Sequence, residues 1–137
     1  MTYKILAPLA LLAFWGSTLF VWNISNSAAP EGLYRITYQP LKRGSLVLLR
    51  NPLKEVVGLP GDTITFGPAG IYVNGALVPN SRVPARSPYK PFPYGTQKLV
   101  PGQFLLMGDN PLSWDGRYEG PTPGPLLMAV VKPVITK

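Results

Sequence analysis

Three short segments hold the residue types from which a nucleophilic site could be built: Asn23–Tyr34 (NISNSAAPEGLY), Leu53–Asp62 (LKEVVGLPGD) and Gly108–Arg117 (GDNPLSWDGR). Ser27 directly follows an apolar stretch and precedes Pro30 and Gly32, a setting for a bend. Lys54 closes a polar connector and precedes Val56 and Val57, where its ammonium could be buried. The chain has no His and no Cys, which removes the Ser-His-Asp triad, Cys nucleophiles and Cys/His zinc sites together. A serine nucleophile here needs another base, and a neutral lysine is the known alternative. An unperturbed Lys titrates near 10.4, so at pH 7 about one in 2,500 is neutral. Correcting that takes roughly 3 pKa units, on the order of 4–5 kcal/mol of desolvation, so a basic Lys must pack against apolar side chains and away from carboxylates. With seven Lys in the chain, composition alone does not single out Lys54.

The elements that must position these residues fall into two materials. Ile5–Trp22 is an uncharged apolar run of 18 residues, about 27 Å as a helix and close to the hydrocarbon thickness of a bilayer. Residues 1–22 are therefore expected to be a transmembrane anchor, oriented N-in by Lys4 and the amino terminus. The rival is a cleaved signal peptide ending at Ser27-Ala28-Ala29, but the run exceeds a usual h-region and Pro30 would begin the mature chain. Residues 23–137 form the exported part, long enough for one modest core and no second domain.

That part reads as all-β. Stretches rich in β-formers at Leu33–Tyr38, Ser45–Arg50, Thr63–Phe66, Ile71–Val73, Phe104–Met107 and Ala129–Thr136 are each bounded by Gly, Pro, Asn or Asp. Asn74-Gly75 signals a type I′ hairpin. The 17 Pro and 14 Gly speak against a helical bundle. Residues 79–97 hold five Pro and three basic residues, which predicts an exposed loop, either a solvated connector or a basic surface against lipid head groups or substrate.

Lys54–Asp62 resembles the lysine box of type I signal peptidases, and Gly108–Arg117 their later Gly-Asp-Asn…Ser-x-Asp-x-Arg box. Leu41–Leu49 (LKRGSLVLL) resembles the Arg-Gly strand before the lysine, and Asn23–Tyr34 the serine box. The Pro-x-Gly-Leu-Tyr ending is closer to the TraF-type peptidases of conjugative transfer. Four boxes in order, behind an anchor, span nearly the whole chain.

The resemblance implies a signal-peptidase-like antiparallel β domain on one N-terminal transmembrane helix, with no metal and no cofactor. It implies Ser27 as nucleophile and Lys54 as general base. Ser25 and the Ser27 backbone N–H would bind the oxyanion, and Ser113 would orient the lysine amine. Asp115 and Arg117 would form a structural ion pair beside the site, next to Asp109 and Asn110. The implied activity is a membrane-anchored serine endopeptidase of the bacterial inner membrane, its catalytic domain on the periplasmic side. It would cleave signal or pro-peptides of exported precursors after small residues. The TraF-like serine box points to a pilin, whose own amine could take the acyl group and close a circle.

Departures from the family pattern are Ala28 after the serine, one extra residue between Ser27 and Pro30, Ser45 in place of an acid, and a last box shorter by one residue. Glu55 replaces a basic residue after Lys54 and would hold the amine charged if it turned inward. Strand alternation sends it to solvent. Competing readings are a catalytically inactive, membrane-anchored β binding module for precursors and a self-cleaving LexA-type enzyme, which lacks support because no DNA-binding segment is present. Net charge of +7 is the sole argument for nucleic acid. Asn23-Ile24-Ser25 is formally a glycosylation sequon beside the membrane. Ser87-Pro-Tyr-Lys90 mimics the S-x-x-K motif, but prolines at 88 and 91 deny the helix that motif requires.

Overall fold

A computed structural model describes residues 20–24, 29–49, 53–127 and 129–137. Eleven strands make up nearly all of its regular structure: β1 (Phe20–Asn23), β2 (Gly32–Thr37), β3 (Leu46–Leu48), β4 (Leu53–Gly58), β5 (Thr63–Gly67), β6 (Gly70–Val73), β7 (Ala76–Leu77), β8 (Gly95–Lys98), β9 (Gln103–Met107), β10 (Thr122–Pro123) and β11 (Ala129–Thr136). The one α-helical turn, α1 (Gly116–Glu119), and a 3-10 turn at Gly124–Leu126 complete the described elements.

The strands form two antiparallel sheets. The larger runs β1-β2-β11-β3-β4-β9-β10 and the smaller β7-β6-β5-β8. Period-2 alternation explains how one sheet serves two cores. On β9, Leu105 and Met107 join Ile64, Phe66, Ile71, Val73 and Leu99 between the sheets, while Leu106 packs with Val47 and Val56 in a second cluster. Ala29, Tyr34, Leu53 and Val131 form a third. Asn74 and Gly75 take φ of 51° and 84°, the left-handed pair a type I′ turn needs, and Val73 pairs with Ala76 across it.

Several expected boundaries move. From sequence, Phe20–Trp22 close the apolar run given to the anchor; in the structure they belong to β1, paired with Leu33–Arg35 of β2. Aromatic and β-branched residues satisfy a pleated edge as readily as a helix, and an available partner strand decides. The remainder of that run, and therefore the anchor itself, lies outside the described residues; among those described, no helix is long and apolar enough to cross a membrane. The Pro-rich segment is irregular through Tyr94, but Gly95–Gln97 enter β8 on the edge beside β5. All four β8 residues are exposed, so only backbone pairing defines the strand. Lys54 is not the end of a connector: it is the second residue of β4, an internal strand between β3 and β9.

Candidate active site

β4 and the connection after β9 build the site. Lys54 stands opposite Val47 of β3, and its aliphatic stem is taken out of water with the strand: the residue is 3% exposed. Its Nζ donates to Ser113 Oγ at 2.6 Å, and Ser113 is itself 7% exposed. Burial pulls the Lys54 ammonium below the ordinary lysine range. The Asp115 carboxylate opposes that shift, the Arg117 guanidinium adds to it, and Glu119 opposes it more weakly.

The loop carrying Ser113 is rigidified from behind. Asp115 caps α1, accepting from the Arg117 N–H at 3.0 Å and from the Gly108 N–H at 2.8 Å. Its other contact is the Arg117 guanidinium at 2.6 Å, both side chains fully buried. Arg117 also donates to the carbonyls of Gly108, Asn110 and Asn80. Desolvation pushes the Asp115 carboxyl up and the Arg117 guanidinium down, and each partner's charge opposes the other's shift. Tyr118 adds a hydroxyl bond to the Pro111 carbonyl at 2.7 Å. The Pro-rich segment is strapped to the same loop through Ser87 Oγ and Tyr118 OH, through the Phe92 N–H on the Arg117 carbonyl, and through Tyr89 against Trp114.

The serine segment is described on either side of residues 25–28. Ser25 and Ser27 lie outside the described residues. On the near side, the Asn23 carboxamide donates to the carbonyls of Ala29 and Pro30, and Tyr34 OH donates to Pro30 at 2.7 Å. Burial, with the Asp109 carboxylate beyond, pushes the Tyr34 phenol up. Gly32 is demanded by the close approach of β11: a side chain there would collide with the Ile135 carbonyl. These contacts account for the Pro30-Glu-Gly-Leu-Tyr34 spacing.

Of the residues singled out in the sequence, Lys54 and Ser113 form one buried pair and Asp115 and Arg117 a second on the same loop, near enough for their charges to act on Lys54. Asp109 and Asn110 are exposed, Asn110 contributing its carbonyl to Arg117 and its side chain to the Leu112 N–H. Glu55 is turned away from Lys54, as strand alternation requires. It is half-buried along a cavity of about 410 Å3 walled also by Arg43, Val57, Leu77 and Pro79. The carboxylates acting on Lys54 are instead Asp115 and Glu119. Arg43 pairs with Asp62 at 2.8 Å and thereby ties the Arg-Gly box to the turn that ends the lysine box. Asn80 and Glu119 were not singled out, and Asn23 was read only within a formal glycosylation sequon and the serine box. Of these, only Asn23 carried a signal, its place at the head of the serine box. Among the described residues no group of three or more His, Cys, Asp or Glu could hold a metal ion.

Residues 2–135 match the family described as signal peptidase, peptidase S26. A plasmid transfer protein TraF of Escherichia coli is 27% identical over 143 aligned positions, covering 82% of this chain and 81% of that protein. A signal peptidase I V of Bacillus subtilis (strain 168) is 31% identical, covering 61% and 60%. The crystal structure of a signal peptidase I from Enterococcus faecalis V583 aligns with a TM-score of 0.49 and 21% identity, over 70% of this chain and 100% of that one.

Proposed function

The chain belongs to the signal peptidase S26 family, and on that premise we propose that it is a serine endopeptidase working through a Ser27/Lys54 dyad on exported precursors. The observation that carries the proposal is the Lys54 amine, buried in β4, held at 2.6 Å by Ser113 and pulled toward neutrality by desolvation. A lysine on the surface would be charged and useless as a base; this one has the environment that a neutral amine requires.

The chemistry then runs in two halves. Neutral Lys54 takes the Ser27 hydroxyl proton as the oxygen attacks the scissile carbonyl, and the resulting ammonium gives that proton to the departing amine. The Ser113 hydroxyl occupies one N–H direction and so restricts rotation of the amine, leaving its lone pair available to the nucleophile. The oxyanion is met by the Ser27 N–H and the Ser25 hydroxyl, donors of a kind worth about 3 kcal/mol each. The acyl-enzyme is released by water or, on a pilin, by the substrate's own amine, which forms a new amide in place of an acid. Support for the pilin comes from the relative named as a plasmid transfer protein, matched over most of both chains.

We place the anchor in the apolar run ahead of β1, holding the enzyme in the bacterial inner membrane with the sheets on the periplasmic side. The described surface favours a lipid neighbour. Phe20 and Trp22 of β1 stand in cross-strand rows with Arg35 and Leu33 of β2, and these with Lys132 and Ile135 of β11. Aromatic rings beside cations are the composition of a membrane–water interface. The test is the intact mass of a candidate precursor incubated in detergent with wild type, Ser27→Ala and Lys54→Ala. Cleavage after a small residue, lost in both variants, is expected. A product lighter by one further water identifies cyclisation. Equal cleavage by all three proteins rejects the dyad.

A further inference from the structure

At the neck of the connection that carries Ser27, the Asn23 side chain holds the returning limb. Asn23 is the last β1 residue paired with β2, opposite Gly32, so residues 24–31 form the connection. The Asn23 carboxamide nitrogen donates to two successive carbonyls, Ala29 at 3.0 Å and Pro30 at 2.9 Å, and the residue is only 6% exposed. A primary amide on a short stem offers two N–H groups from one nitrogen; aspartate offers none and serine one. Tyr34 OH donates to the same Pro30 carbonyl. Ala29 is buried in the cluster that contains Tyr34 and Leu53, the residue preceding Lys54. The returning limb is thus held across the neck by Asn23 and seated on the strand of Lys54 through Ala29 and Leu53.

We infer that Asn23 is a positioning residue, whose carboxamide sets where the Ser27-bearing connection lies relative to Lys54 without itself touching substrate. The inference rests on the Ser27/Lys54 reading. Its force comes from the steepness of catalysis with geometry, where about 1 Å of misplacement can cost on the order of 100-fold in rate.

The experiment uses the full chain in detergent and carries Ser27→Ala and Lys54→Ala alongside Asn23→Ala and Tyr34→Phe. Hydrogen exchange is followed by mass spectrometry over residues 24–31, β4 and β9, and kcat and KM are measured on a peptide with a small-residue cleavage site. In Asn23→Ala, exchange over 24–31 should quicken by about 10-fold or more with β4 and β9 unchanged. The kcat should fall about 10- to 100-fold with KM within about twofold. The acid limb of the pH–rate profile should stay in place, because the surroundings of Lys54 are untouched. Tyr34→Phe should move the same readouts in the same direction and by less. Wild-type protection over 24–31, or faster exchange with kcat within twofold of wild type, overturns the inference. If Asn23→Ala loses the protection of β4 as well, Tyr34→Phe decides by the same two readouts. Undiminished cleavage by Ser27→Ala or Lys54→Ala brings down the dyad and, with it, the catalytic half of this inference. Loss of cleavage in both beside a fully active, folded Asn23→Ala brings down this inference alone.

Discussion

Removing the Ser113 hydroxyl separates two effects that act in opposite directions. In Ser113→Ala the Lys54 amine loses the acceptor that it reaches at 2.6 Å, in a site where both residues are buried and no bulk water replaces it. A hydrogen bond from an ammonium contributes about 1.5–3 kcal/mol and one from a neutral donor about 0.5–1.5. Its loss therefore penalises the charged form by about 1–1.5 kcal/mol more than the neutral form, roughly one pKa unit. The acid limb of the pH–rate profile should move down by about one unit, so that more of the lysine is neutral at pH 7. The maximal rate should nevertheless fall on the order of 100-fold, because rotation of the amine is no longer restricted. Steady-state cleavage of a peptide from pH 5 to 10, with a thermal unfolding control, reads both effects. A limb that moves up, or a maximal rate within twofold of wild type, would refute the orienting role of Ser113 and the base role of Lys54 behind it.

Glu119→Gln removes an exposed carboxylate that holds the Lys54 ammonium up, so the acid limb should move slightly down in the same assay. Asp115→Asn leaves the Arg117 guanidinium buried without its counter-charge and should lower unfolding stability by about 3–5 kcal/mol, measured by urea titration. Lys54→Met tests linkage. The folded pKa of Lys54 is depressed, so wild type carries the whole desolvation penalty below that pKa and recovers stability as pH rises toward the unfolded value near 10.4. The variant should thus be more stable than wild type at pH 6, with the gain shrinking above the folded pKa. Gly32→Ala should destabilise strongly, as its methyl meets the Ile135 carbonyl, and thermal unfolding of the variant checks it.

The chemistry was more legible in the sequence than the scaffold that holds it. Residue types alone left Lys54 among seven lysines; it was the resemblance of the short boxes to a known family that raised Lys54, Ser113, Asp115 and Arg117. The Asp115–Arg117 contact is local, two residues apart in the chain, whereas Lys54–Ser113 spans 59 positions that no periodicity encodes. β4 escaped notice because Lys54 and Glu55 break the apolar pattern of a strand buried on both sides; tertiary packing of Leu53, Val56 and Gly58 outweighs it. β8 has no buried residue to betray it and exists through its ladder to β5. The apolar run to Trp22 satisfied a membrane span and a sheet edge equally well, and hydropathy alone does not separate them.

The position of β11 gives the protein an order of assembly. This strand follows the other described strands in the chain, yet it lies inside the large sheet, hydrogen-bonded to β2 on one side and β3 on the other. Without it, no described backbone ladder joins β1 and β2 to the half of the sheet that carries Lys54. A chain still on the ribosome therefore holds two separate pieces of one sheet, and that sheet becomes continuous only once β11 is in place.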